Sequence, residues 1–271
     1  MLDVSLFGAT LPAGTYTAGD VVNLKCIDGP AVVRSGRGAA YLKRITSTVL
    51  INASGSATYW KVYVKNSDWI DSAANLTAFL NDMCALDPQS GCVQDGQNCP
   101  LTPNSSWEVW AECTTGGTTT IDNSISCTID VDFPQVASII DPRALQGFPT
   151  TIEETITTDL QKADIENAKW TTVNVDFFKA GYEYAVVKPE MRSSGGAASG
   201  FIKISNAAGM GGLSRIIPIS TPVGNLRNNI EYASKLVKGP MDLSVMLFSA
   251  TGTAVTGSNA RVILDFVKRK V

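Results

Sequence analysis

The stretch "ATYWKVYVK", Ala57 to Lys65, alternates strictly: Trp60, Val62 and Val64 fall on one side of an extended chain, and Tyr59, Lys61, Tyr63 and Lys65 on the other. Successive side chains of a strand point to opposite faces, so a period of two predicts a strand with one buried and one open face. Segments of strand length recur along the whole chain: "DVVNLKCI", "AAYLKRITSTVLI", "SWEVWAECTT", "SISCTIDVDF", "TTVNVDFF", "YEYAVVKP", "SGFIKIS", "LSRIIPIS", "MDLSVMLFSA" and "ARVILDFVKRKV". Turn formers separate them, as in the hairpin loop "NASGS", Asn52 to Ser56. Many short strands at close spacing predict a mainly β chain: an antiparallel β-sandwich or β-barrel-like unit or units, with two or three short marginal helices.

Three segments carry a helical stripe. One runs from a cap at Ser67 or Asp68 through Trp69, Ala73, Leu76, Leu80 and Met83; a second carries Ile152, Ile156, Leu160 and Ala163; a third carries Leu226, Ile230, Ala233 and Val237 and stops at Gly239. Residues 85–103, rich in Pro and Gly, read as a cysteine-containing loop insertion. With 271 residues, 44% of them hydrophobic, the chain can build one large domain or two ordinary ones. The turn-rich "SIIDPRALQGFP" sets the expected boundary, giving β-rich domains over 1–141 and 142–271, with a single domain as the alternative.

Composition narrows the function. The chain has no histidine, which removes Ser-His-Asp and Cys-His nucleophilic sites and HExxH zinc sites. A net charge of −3 supplies no global positive field for nucleic acid or anionic lipid, and the longest apolar runs fall short of the roughly 20 residues of a membrane helix. Residues 1–20 lack a basic region followed by an apolar core, so the expectation is a soluble protein made in the cytoplasm. "GMGGLSR" and "SGGAASG" lack the Gly-Lys-Ser/Thr ending of a phosphate loop.

The remaining chemistry-bearing groups have plain structural readings. Cys84, Cys92, Cys99 and Cys113 show no Cys-x2-Cys knuckle, which argues against zinc and leaves disulfides across the 84–113 segment or buried free thiols. Glu153 and Glu154 suit the first turn of a helix, and Asp130 and Asp132 the solvent face of a strand. Of the tryptophans Trp60, Trp69, Trp107, Trp110 and Trp170, core packing accounts for most, although such residues also line sugar-binding faces. These patterns point to no catalytic residue, no cofactor and no metal.

Two basic stretches stand out on an acidic chain. Arg34, Arg37, Lys43 and Arg44 lie in and after "RSGRG", and Lys268, Arg269 and Lys270 end the chain. Gly36 and Gly38 suit a turn opening the strand "AAYLKRITSTVLI", so the expected use of these cations is contact with an acidic neighbouring subunit.

The first quarter of the chain also resembles a known group. "TYTAGDVV", with Tyr16, Ala18, Gly19, Asp20, Val21 and Val22, followed by Arg37, Gly38, the Leu42-to-Val49 strand and "VYVKNSDW", is similar to a pattern in head decoration or cement proteins of tailed bacteriophages. That resemblance implies a non-enzymatic virion protein that self-associates and binds the major capsid protein or other virion proteins. A neck, tail or head-fibre component, or a carbohydrate-binding adhesion module, is the alternative.

Overall fold

In the computed structural model, described over residues 2–33, 39–50, 58–67, 85–86, 92–133, 150–194, 198–205, 215–220, 236–249 and 253–270, every regular element is a strand. The chain divides into two compact units, one of Met1–Val136, Lys162–Ala168 and Ala250–Thr253, the other of Ala137–Gln161, Lys169–Ser249 and Ala254–Val271.

The first unit contains β1 (Leu2–Leu11), β2 (Gly14–Tyr16), β3 (Val21–Asp28), β4 (Ala40–Leu50), β5 (Tyr59–Asn66), β6 (Ala85–Leu86), β7 (Cys92–Leu101), β8 (Trp107–Thr115), β9 (Gly117–Thr119) and β10 (Asn123–Asp132). Eight of them form an antiparallel sheet in the order β6-β5-β8-β3-β1-β10-β4-β7, and β2 pairs with β9 as a separate ribbon. Trp60, Val62, Val64 and Val109 from one end of the sheet share a single apolar cluster with Leu42, Ile45, Ile125 and Ile129 from the other, so the sheet curls around its own core. The alternation in "YWKVYVK" is realised: Trp60, Val62 and Val64 are buried, and the Trp60 indole N–H donates to Thr58 Oγ1 at 3.1 Å.

The second unit contains β11 (Thr150–Leu160), β12 (Thr171–Phe178), β13 (Tyr182–Ser193), β14 (Ala198–Ser205), β15 (Arg215–Ser220), β16 (Leu236–Lys238), β17 (Met241–Ser249) and β18 (Val255–Lys270). Its two sheets, β11-β18-β13-β16 and β12-β17-β14-β15, are antiparallel. Ile156, Tyr184, Val262 and Leu264 of one share a core with Ile202, Ile217, Leu243 and Val245 of the other, which makes a face-to-face sandwich. Phe178, Tyr184 and Phe266 meet edge to face within that core.

Two expectations are corrected. The helix over Ile152–Ala163 is strand β11 as far as Leu160. A spacing of four is a multiple of two, so Ile152, Ile156 and Leu160 share a face in either conformation, and the β-branched run of Thr150, Thr151, Thr155, Thr157 and Thr158 favours the strand. Glu153 and Glu154 therefore lie on a strand, opposite Asp265 and Leu264, and not in a helical first turn. The expected loop over 85–103 holds β6 and β7; β7 is an edge strand, a position that tolerates Pro100 without losing an inner ladder bond. The other two expected helices, and the "SIIDPRALQGFP" boundary, fall wholly or mainly outside the described residues, and Leu236–Lys238 is strand β16.

Candidate functional site

The pattern "TYTAGDVV" builds one edge of an open surface in the first unit. Tyr16 ends β2, stacks edge to face on Trp60 at 5.3 Å and donates its hydroxyl to the Pro12 carbonyl at 2.6 Å. Thr17–Asp20 is a β-turn: the Asp20 N–H donates to the Thr17 carbonyl at 3.1 Å, and Gly19 has φ 96°, the left-handed geometry that the third position of a type II turn requires. The Asp20 carboxylate accepts the Thr17 N–H at 2.7 Å, closing the turn from the side chain. Reciprocal bonds of 2.8 Å join Gly19 N–H to the Cys113 carbonyl and Cys113 N–H to the Asp20 carbonyl. They fix the register in which β3 starts beside β8.

That register creates the surface. Opposed residues of an antiparallel pair share a face. Val22 and Leu24 of β3, Val109 and Ala111 of β8, and Val62 and Val64 of β5 face the core in this way. The other face carries Val21 opposite Glu112 opposite Lys61, then Asn23 opposite Trp110 opposite Tyr63, then Glu108 opposite Lys65. Val21 is 63% exposed, a large apolar side chain in the open. The Lys65 ammonium sits 3.9 Å from the centre of the Trp110 ring, and the Tyr63 hydroxyl donates to Glu112 Oε2 at 2.7 Å. Burial, then the Glu112 hydrogen bond and charge, push the Tyr63 phenol up to about 12. The surface is thus a broad aromatic patch with a column of cations on β5 and a column of anions on β8.

The structure distributes the expected contact residues differently. Arg34 and Arg37 lie outside the described residues. Lys43 is half-buried where the register between β4 and its neighbours shifts. Arg44 is only 6% exposed and stands opposite Asp130 in the ladder, so the expected surface cation is an internal charge. Asp130, expected on a solvent face, is buried there as well. In the second unit Lys268, Arg269 and Lys270 are the last residues of β18, an inner strand of its sheet. Lys268 lies over the Tyr182 ring at 5.4 Å, Arg269 is opposite Glu183, and Lys270 is exposed.

Other candidates are weaker. Trp60 and Trp107 are core residues, Trp69 is outside the described residues, and half-buried Trp170 carries the Lys203 ammonium 4.6 Å from its ring centre. Cys26, Cys113 and Cys127 are free thiols, and burial raises all three, which keeps them protonated. Cys84 and the side chain of Cys92 lie outside what is described. Among the described residues no three His, Cys, Asp or Glu side chains converge as metal ligands. A shallow polar groove is lined by Lys25, Cys26, Ile27, Glu166, Asn167 and Ala168, with Lys25 and Glu166 paired across it.

Comparison with known proteins gives little to set beside this geometry. No family model and no curated protein matches the chain. Among solved structures the chain is similar to one in the cryo-EM structure of the T=3 Penaeus vannamei nodavirus, with 9% identity over 100% of this chain and 90% of that one and a TM-score of 0.20. A superposition of that quality carries no argument about fold or function.

Proposed function

We propose that this chain is a non-enzymatic structural protein of a virus particle, of the type that decorates and cements a tailed-phage head. Its partners are then the major capsid protein or other virion proteins, together with copies of itself. The observation that carries this reading is local: the residues Tyr16–Val22, on which the resemblance to decoration proteins rests, form the turn and strand that hold the β3–β8–β5 surface open. A broad patch of tryptophan, tyrosine, valine and charges set opposite one another in register has the composition of a protein contact.

A particle supplies the physical reason for such a surface. A protein that binds only the closed shell adds its binding free energy to the work of opening it, and symmetry repeats that contribution around the particle. Particles produced without this chain should lose integrity at lower temperature and in chelator, and the purified chain should bind and restore them. Equal resistance of both kinds of particle, with no binding, would end the cement reading. A neck, tail or head-fibre position would show as a low copy number at one vertex in a particle reconstruction. The carbohydrate reading ranks below these because the Trp110 ring, where a sugar would stack, already carries the Lys65 ammonium.

A further inference from the structure

The open face of β3, β8 and β5 has an internal symmetry of charge. Its first row runs, in register, Lys61, Glu112, Val21; the next places Tyr63 beside Trp110; the third places Lys65 beside Glu108. In both charged rows the cation is on β5 and the anion on β8. A two-fold axis lying in the plane of the face, parallel to the strands and midway between β5 and β8, leaves the height of each row unchanged and exchanges the two columns. A second copy brought face to face about that axis sets Lys61 against Glu112, Lys65 against Glu108 and Tyr63 against Trp110, each contact occurring twice.

We propose that this face is a self-association surface, and that its occupant is a second copy of the chain in this column-exchanging two-fold arrangement. An isologous contact requires a patch complementary to itself, and rows that set a cation beside an anion in the same order meet that condition. The ring contacts add preorganisation: Lys65 over Trp110 and Tyr63 on Glu112 hold both aromatic groups before the partner arrives. Strand spacing makes the three-strand patch only about 15 Å on a side. That is small beside the roughly 800 Å² per partner of a standard interface, so the isolated pair is weak and in rapid exchange. On a particle that fixes many copies close together, the high effective concentration turns a weak pair into a persistent one. The contact rests on the virion reading only for this last step; on the purified chain it stands or fails without it.

The test is a charge-reversal cross on the purified full chain, read by sedimentation velocity as a function of concentration and ionic strength. The wild-type chain should show a reversible monomer–dimer equilibrium that weakens with salt. Lys61→Glu leaves carboxylates at both positions 61 and 112, and Glu112→Lys leaves ammonium groups at both. Each variant alone should dimerise at least about ten-fold more weakly than wild type, since like charges then face each other twice. Mixed in equal amounts they should form a heterodimer with wild-type strength, because every crossed pair is again opposite in sign. Circular dichroism and thermal melts keep the result interpretable: both variants should melt as folded proteins, and if either does not, Trp110→Ser supplies the same reading by loss of dimer. The inference is overturned by a monomeric wild-type chain at every concentration reached, by single variants that dimerise as wild type does, or by a mixture that fails to pair. Particle binding by a chain monomeric in solution would overturn this contact while sparing the virion reading; a dimer that binds no particle would do the reverse.

Discussion

The first unit holds two kinds of sheet within one run of strands. Around β1 and β10 both faces are covered: every residue of β10 from Asn123 to Val131 is buried, and so is β1 from Asp3 to Ala9. At β3, β8 and β5 only one face is covered, and the burial of β8 alternates nearly residue by residue. The sequences differ accordingly. β8 and β5 put lysine, glutamate, tyrosine and half-open tryptophan on their second face, whereas β1 and β10 put Gly8, Thr10, Ser124, Ser126 and Thr128 there. Small side chains let another layer approach, and large charged ones keep water or a partner at the surface. The difference locates where the unit has spent its residues on stability and where it has left them available for contact.

The sharpest way to break that distinction is to truncate one apolar side chain in each region. Ile129 is fully buried in the core, and Ile129→Ala should cost about 2–5 kcal/mol, the range for a large buried aliphatic replaced by alanine. Val21→Ala, on the open face, should stay within about 0.5 kcal/mol of the parent. Urea unfolding followed by tryptophan fluorescence gives both values. Equal costs would mean that Val21 is covered in the folded protein and that the face is not open.

A smaller effect tests the double coverage of β1. A Cβ built on Gly8 would lie 2.6 Å from Ile165 Cδ1 and 2.9 Å from its Cγ2, because residues 162–168 of the same unit pack there. The Thr10 hydroxyl donates to Asp164 Oδ1 at 2.7 Å, and Lys162 pairs with Asp122, which holds that segment in place. Gly8→Ala should therefore destabilise by about 1–3 kcal/mol, the usual cost of overpacking. Combining it with Ile165→Ala should cost less than the sum of the two single changes. Strict additivity would show that the segment does not press on Gly8.

How much of this the chain discloses before folding depends on how local each signal is. The faces of β5 are readable from "YWKVYVK" alone, since a period of two needs no partner strand. The all-β class is readable for the same reason, and the helix expected at Ile152–Ala163 fails because a four-residue stripe satisfies both periods. The open face was not legible as a site: Trp110 joins Tyr63 only through pairing of strands that are distant in sequence, and Val21 joins Glu112 only through the Thr17–Asp20 turn. Each strand showed its polar side, but no single strand shows which columns stand side by side. Arg44 failed in the opposite direction. A cation in a basic run reads as surface, while its burial opposite Asp130 is a fact of register.

The smallest expected effect separates burial from pairing at the open face itself. Tyr63 is raised from its ordinary value of 10.0 to about 12, first by burial and then by Glu112. Because the folded value exceeds the unfolded one, the stabilising preference for the neutral phenol is complete below pH 10 and is lost as pH rises through 12. Absorbance at the tyrosinate band, taken as the difference between wild type and Tyr63→Phe, should titrate with a midpoint near 12. Glu112→Gln should lower that midpoint without bringing it to the ordinary value, since burial, the larger cause, remains. A midpoint at the ordinary value in wild type would mean that Tyr63 is more open than the structure has it. A midpoint unmoved by Glu112→Gln would mean that the phenol does not donate to Glu112, and the aromatic pair at the centre of the face would then lack the fixed geometry that distinguishes it from an ordinary wet sheet surface.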